Sequence, residues 1–232
     1  MAATIRDIAR RTGLGIATVS KYLNGGHVLD RNRQAIEQAI RELDFHVNEF
    51  ARGLKTNRSR TIGVVIPELS GVFCTGIITI MEDILRRSGY GILVCDCRTD
   101  PRREAESVEF LMGKRVDGII NMPVSRDGSH LRAPLAAGLP VVLFDRLIDR
   151  RDLSAVIVDN VRAAGQAAGM LLDAGHRAVG MICGEQGLFT TGQRLEGFRR
   201  AFSGRGLSGA DSLVEYGDYT MEGGYESMKR LL

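Results

Sequence analysis

Little in these 232 residues speaks for secretion, a membrane or a metal. The four cysteines, Cys74, Cys95, Cys97 and Cys183, are too few and too scattered for a disulfide scaffold. No histidine stands at metal-ligand spacing from them, so free, mostly buried thiols and no metal are expected. Cys95 and Cys97 would share one face of a strand, a packing pattern before a redox one. No window approaches the roughly 18 continuous apolar residues of a membrane span, and residues 1–7 lack the charged-then-apolar order of a secretory signal. The expectation is a cytoplasmic chain with no membrane partner. No Gly-x-Gly-x-x-Gly, P-loop or nucleophile elbow follows any apolar run, which argues against a dinucleotide dehydrogenase, and no cofactor is expected.

What is present is ordinary globular usage, 44% apolar and 25% charged, in a chain long enough for two units or one large α/β unit. The net charge of +3 is unevenly spread. Residues 1–60 carry 11 Lys+Arg against 6 Asp+Glu, whereas residues 61–232 carry 20 against 22. A small basic segment ahead of a near-neutral larger one suggests that the first meets phosphate and the second does something else.

Within the basic segment, Thr4 can cap a helix with Asp7 in its first turn and Ile5, Ile8 and Ala9 on one face. Thr12-Gly13-Leu14 breaks that helix. A second runs over 16–23, with Val19 and Leu23 at i, i+4, and Asn24-Gly25-Gly26 stops it. Asp30 is expected to cap a third, in which Ile36, Ala39, Ile40 and Leu43 form the apolar stripe. Such a pair of short helices suits DNA, because one helix fits the major groove while its predecessor crosses the backbone.

The stretch Thr4-Ile5-Arg6-Asp7-Ile8-Ala9-Arg10-Arg11-Thr12-Gly13-Leu14-Gly15-Ile16-Ala17-Thr18-Val19-Ser20-Lys21-Tyr22-Leu23-Asn24 resembles the opening of LacI/GalR-family transcriptional regulators. The resemblance places Ile16, Ala17 and Lys21 where the family reads bases and Thr18 and Ser20 where it contacts phosphates, with Thr4 and Asn24 at the ends of the interface. The chemistry agrees: Lys21 can donate to guanine O6 and N7, while Ile16 and Ala17 offer apolar contact to a thymine methyl. Gly15 stands where the family often has a Ser or Thr helix cap.

Asn48-Glu49-Phe50-Ala51-Arg52-Gly53-Leu54 is similar to the family's hinge helix. By that resemblance Asn48, Ala51, Arg52 and Lys55 approach the DNA and Leu54 is the wedge that opens a base step from the minor groove. Val47 replaces a common proline, Glu49 brings a carboxylate near DNA, and Gly53 lowers helix propensity by roughly 1 kcal/mol relative to Ala. Hinge folding is therefore expected to depend on DNA. The other reading of this stretch is a short linker with no DNA role.

From Thr61 on, apolar runs at 61–67, 91–97, 116–123, 140–146, 155–160, 178–184 and 213–218 alternate with helical stretches near 73–88, 101–114, 161–174, 190–202 and 220–231. This order predicts an α/β body of parallel sheets covered on both faces, with ligands beyond the carboxyl ends of the strands. It also resembles the periplasmic-binding-protein-like body of the same family, with the chain crossing between subdomains near Val158-Asp159-Asn160. The domain expectation is a helix-turn-helix head over 1–46, a hinge and linker over 47–60, a first regulatory subdomain over 61–158 and part of a second over 159–232. Family bodies continue past the point matching Leu232, so an incomplete second subdomain with uncovered sheet edges is expected.

By resemblance, effector contacts fall on Asn121, Asp145 and Arg194, with Phe73 supplying a ring face. A carboxamide, a carboxylate and a guanidinium suit hydroxyl-rich ligands, because such a site penalises analogues that leave its groups unpaired. A sugar or sugar derivative is expected, and purines also occur as effectors in the family. The reading is a sequence-specific repressor, not an enzyme. It binds a pseudo-palindromic operator as a homodimer and is controlled by a small-molecule effector in either direction, induction or corepression. The rival is a sugar-binding module or sugar-processing enzyme with the same α/β body, against which stand the missing export signal and the missing catalytic cluster. A third reading, a nucleoid-type structural protein, requires base-independent binding.

Overall fold

The computed structural model describes residues 3–46, 58–150 and 152–232. The chain divides into two compact units, Met1–Ser59 and Arg60–Leu232.

The first unit contains α1 (Ile5–Thr12), α2 (Ile16–Leu23) and α3 (Asp30–Glu42). Thr4 is the N-cap of α1, and Asp7 reaches back to accept from its N–H and its hydroxyl, the return half of a capping box. Gly13 ends the helix at φ 69°, where a side chain would be strained. Ile8, Ala9, Val19, Ile36 and Ala39 form the buried core that all three helices share. Two polar ties at its rim fix the third helix, Arg11 to Glu42 at 2.7 Å and the Tyr22 hydroxyl donating to Glu37 at 2.9 Å. One boundary differs from expectation: Leu29 is the N-cap of α3 and Asp30 its first residue. The carboxylate still lies in the first turn, where the helix dipole favours it.

The second unit opens with a five-stranded parallel sheet in the order β2-β1-β3-β4-β5. Its strands are β1 (Thr61–Ile66), β2 (Gly91–Asp96), β3 (Gly118–Asn121), β4 (Val141–Phe144) and β5 (Ser154–Val156). They are covered by α4 (Val72–Arg87), α5 (Pro101–Gly113) and the short α6 (Arg132–Ala136). Successive β1 residues point to opposite faces, so Val65 joins Val108, Leu111, Ile119 and Leu143 on one side. Val64 and Ile66 join Cys74, Met122 and Phe144 on the other. Both faces are buried, hence the continuous apolar run. Gly63 lets the covering helix approach β1, since a Cβ there would fall 2.6 Å from the Leu111 side chain.

A smaller parallel pair, β6 (Met181–Cys183) and β7 (Val214–Tyr216), follows with α7 (Asn160–Asp173), α8 (Phe189–Ser203) and α9 (Met221–Leu231). Its core is built on Leu172, Val179, Leu195, Phe198 and Phe202. The run expected as a strand over 155–160 is shorter: β5 stops at Val156, and Asp159 caps α7 by accepting the Arg162 N–H at 2.9 Å. An edge strand paired only to β4 gains little by continuing, and Val156, Ile157 and Val158 are exposed. All four cysteines are free. Cys97 is sealed in the core with Sγ against the Ile66 carbonyl at 3.1 Å, and burial pushes its thiol up to about 12.

Candidate nucleic-acid interface and effector site

The first unit sorts the expected DNA contacts by the geometry of one helix. Val19 of α2 is fully buried, and Tyr22 and Leu23 pack beside it against the core. The opposite face carries Ile16, Ala17 and Lys21, all exposed, flanked by half-buried Thr18 and Ser20. A half-exposed isoleucine at the first position of a helix is not core, and its exposure is what a base-contacting role requires. Gly15 is the N-cap and, having no side chain, leaves the first N–H groups of α2 without a side-chain cap. Asn24 closes the helix, its Nδ2 donating to the Ser20 carbonyl at 2.7 Å. Gly26 keeps the Lys21 stem free to lie along the turn, for a Cβ there would sit 2.6 Å from Lys21 Cγ. Thr4 is exposed at the start of α1, and its bonds to Asp7 hold that carboxyl below its ordinary value. Asn48, Ala51, Arg52, Leu54 and Lys55 lie outside the described residues.

In the second unit, Asp145 follows β4 in the left-handed region at φ 63°, with its N–H donating to the Val156 carbonyl at the end of β5. It is 8% exposed. Burial pushes its carboxyl up, and the charges of Arg146 and Arg194 oppose that rise. Arg146 Nε lies 3.8 Å from the Asp145 carboxylate, too long for a hydrogen bond, and its Nε and Nη1 are buried without a protein partner. The thiol of Cys74 in α4 is pushed up by burial and senses Arg146, Glu68, Asp145 and Asp96. The start of α4, where Phe73 is half-exposed, therefore belongs to the same end of the sheet.

Arg194 enters from α8, donating from Nε to Asn160 Oδ1 at 2.8 Å. It lines a cavity of about 130 Å³ with Thr191, Gly184, Tyr219 and Thr220 at the carboxyl ends of β6 and β7. The Tyr219 hydroxyl is 3.5 Å from Thr191 Oγ1, and its ring occupies the space a side chain at Gly184 would need.

The charge of Arg194 thus acts on Asp145, while the Asn121 amide is turned to interior partners. Asn121 is fully buried; its amide donates to Glu104 at 3.1 Å and lies 3.0 Å from His130 Nε2. Its side chain serves the interior, because β3 ends under a loop that Glu104 pins through the N–H groups of Val124 and Ser125. Asn121 Oδ1 is left without a protein partner. Sequence reasoning also missed Arg146, Thr191, Tyr219 and Asn160 as neighbours of the site. Among the described residues, no group of His, Cys, Asp and Glu could hold a metal, and no helix is long and apolar enough to cross a membrane.

Comparison with known proteins fits this architecture. Residues 4–48 match the model of bacterial regulatory proteins of the lacI family, and residues 59–232 match that of periplasmic binding proteins and the sugar binding domain of the LacI family. Catabolite control protein A of Priestia megaterium is 31% identical over 234 residues, covering 100% of this chain and 70% of the relative. The transcriptional repressor PurR of Mannheimia succiniciproducens is 33% identical over 233 residues, covering 99% and 70%. Among solved structures, a complex of the transcriptional regulator CelR with cellobiose aligns with TM-score 0.64 at 28% identity, over 99% of this chain and 70% of that one. The lac repressor dimer bound to operator aligns with TM-score 0.86 at 22% identity, over 100% and 70%, a likeness of fold. A three-helix head and a parallel-sheet body, each matched by its own family model, make this chain a member of the LacI family.

Proposed function

We propose that this protein is a sequence-specific DNA-binding repressor, acting in the cytoplasm as a homodimer and controlled by a sugar-like effector. The observation that carries the reading is the outward face of α2, with Ile16, Ala17 and Lys21 presented while Val19 is buried. Relatives named as repressors support the sign of control, and the cellobiose in the name of a similar structure supports the ligand class. In this reading Thr18, Ser20, Thr4 and Asn24 set the register on phosphates, residues 47–60 form the hinge, and Leu54 is its wedge with Asn48, Ala51, Arg52 and Lys55 around it. The lobes 61–158 and 159–232 hold the effector between Asp145 and Arg194, with Phe73 at the rim. It is a regulator rather than an enzyme.

Selection of bound sites from random duplexes tests the class and symmetry together: recovery of one palindrome is expected, and equal retention of unrelated sequences would refute sequence-specific control. Lys21→Ala should cost about 1–3 kcal/mol on the preferred site and flatten preference at one base pair per half-site. A uniform loss across all sequences would reassign Lys21 to phosphate.

The dimer has its own physical support. Phe73, Ile80 and Ile84 recur at i, i+7, i+11 on α4 and are all exposed, an apolar stripe that water does not favour. Ile80→Glu is expected to give a monomer by sedimentation and a large loss of operator affinity, since two heads then bind independently. A dimer that survives this change excludes the α4 face as the interface.

A further inference from the structure

Asn160 is the first residue of α7, directly after the crossover segment, and is 3% exposed. Its backbone N–H donates to the Val158 carbonyl at 2.8 Å and its Nδ2 donates to the same oxygen at 3.1 Å. These bonds fix the amide, because the flipped form would set Oδ1 against a carbonyl. The acceptor Oδ1 therefore faces Arg194 and takes its Nε–H at 2.8 Å. With Nε so engaged, the guanidinium plane is set and the two Nη groups remain for other partners. Arg194 lines the cavity with Thr191 and Tyr219, and its charge acts on the Asp145 carboxyl.

The backbone behind this bond is stiff. A Cβ on Gly197 would fall 2.0 Å from the Val161 carbonyl, and one on Gly165 would fall 3.2 Å from the Gly197 carbonyl. Helices α7 and α8 meet there backbone to backbone, so Arg194 and Asn160 cannot drift apart without separating two packed helices.

We propose that Asn160 is a positioning residue for Arg194: it orients the guanidinium toward the cavity and ties any displacement of Arg194 by a ligand to the crossover between the lobes. The inference rests on the reading of Arg194 as an effector contact. It adds a route by which occupancy of the cleft is felt at the segment where the lobes join, through one two-ended side chain bonded to Val158 on one side and Arg194 on the other.

The test uses the full chain and four forms: wild type, Asn160→Ala, Arg194→Lys, which has no Nε–H to donate, and the double variant. Cellobiose, the sugar in the name of the CelR structure, and ribose, a smaller hydroxyl-rich sugar, are the calorimetric probes. For whichever sugar binds, Asn160→Ala is expected to weaken it roughly ten- to a hundredfold, the range for a hydrogen bond to a charged group. Against the Arg194→Lys background the same change should have almost no further effect. Equal losses in both backgrounds would mean that Asn160 acts as plain scaffold and would overturn the proposal.

A second arm needs no ligand. In ¹⁵N spectra the Arg194 Nε–H, assigned by its disappearance in Arg194→Lys, should be protected from exchange in the wild type and lose that protection in Asn160→Ala while other arginine signals stay in place. Continued protection in Asn160→Ala refutes the positioning role. If neither sugar binds the wild type, the effector reading for those sugars fails, and this arm decides the positioning role alone.

Discussion

Glu104→Ala is expected to cost the Arg60–Leu232 unit on the order of 3–5 kcal/mol, read as a drop in the urea midpoint with little change in slope. Glu104 is fully buried in α5, yet its carboxylate accepts from Val124 N–H at 3.0 Å, Ser125 N–H at 2.8 Å and Asn121 Nδ2 at 3.1 Å. His130 Nε2 stands 3.3 Å away, also buried. Alanine would remove the acceptor, leave the two backbone donors without it and strip the Asn121 amide of one of its two close partners, the costly direction of the change. Asn121 Oδ1 and His130 Nδ1 already have no protein partner, so the network holds little slack.

The pH dependence follows from the same contacts. Burial by itself would push the Glu104 carboxyl up, but the hydrogen bond and charge of His130 and the N–H groups of Ser125 and Val124 outweigh it and hold the carboxyl below its ordinary value. A depressed folded-state value means that the ionised form stabilises: the contribution is complete above the ordinary carboxylate range and is lost as pH falls through and below it. The stability gap between wild type and Glu104→Gln should therefore shrink on acidification. A gap that stays constant from neutral to acid pH would show that Glu104 is not ionised in the folded protein.

The second large effect is expected at Gly197. With a Cβ only 2.0 Å from the Val161 carbonyl, Gly197→Ala must force α7 and α8 apart, an overpacking cost of about 1–3 kcal/mol or more because the obstacle is backbone. Gly192, on the same helix, has nothing within 4 Å of its Cβ position. Gly192→Ala should instead stabilise by about 0.5–1 kcal/mol through helix propensity alone. Thermal melts of the two variants should move in opposite directions; parallel shifts would deny the close helix approach. Gly197→Ala should also weaken the Arg194–Asn160 bond, which spans the same pair of helices.

The sequence carried the elements well where periodicity and stop residues agree. Helix α2 falls on Ile16–Leu23 as expected, because Gly15 and Asn24 bracket an unambiguous apolar spacing. The parallel sheet was legible because burial on both faces leaves continuous apolar runs. Boundaries that rest on competition were less so. Asp30 looked like a cap but is the first helical residue of α3, and the run over 155–160 gave way to a helix begun by Asp159, whose carboxylate caps better than an exposed edge strand pairs.

The candidate site divides along the same line. The family resemblance pointed to Asn121, Asp145 and Arg194, and the charge of Arg194 acts on the Asp145 carboxyl. Nothing in the order of residues says that Glu104, 17 positions before Asn121, is buried beside it and takes its amide. Tyr219 and Thr191 were invisible for a related reason: they meet only when β6 and β7 pair and bring their following loops to one edge.

By itself, then, the order of residues determined the two-part organisation, the three short helices, the alternation of strand and helix and the surplus of positive charge at one end, since each of these is local in the chain. Only the tertiary structure decided which polar groups line the cavity and which are held inside, that Asn160 grips Arg194, and that two glycines let α7 and α8 touch. Those facts depend on contacts between residues far apart in sequence, and hydrogen-bond satisfaction and van der Waals exclusion settle them only once the chain is packed.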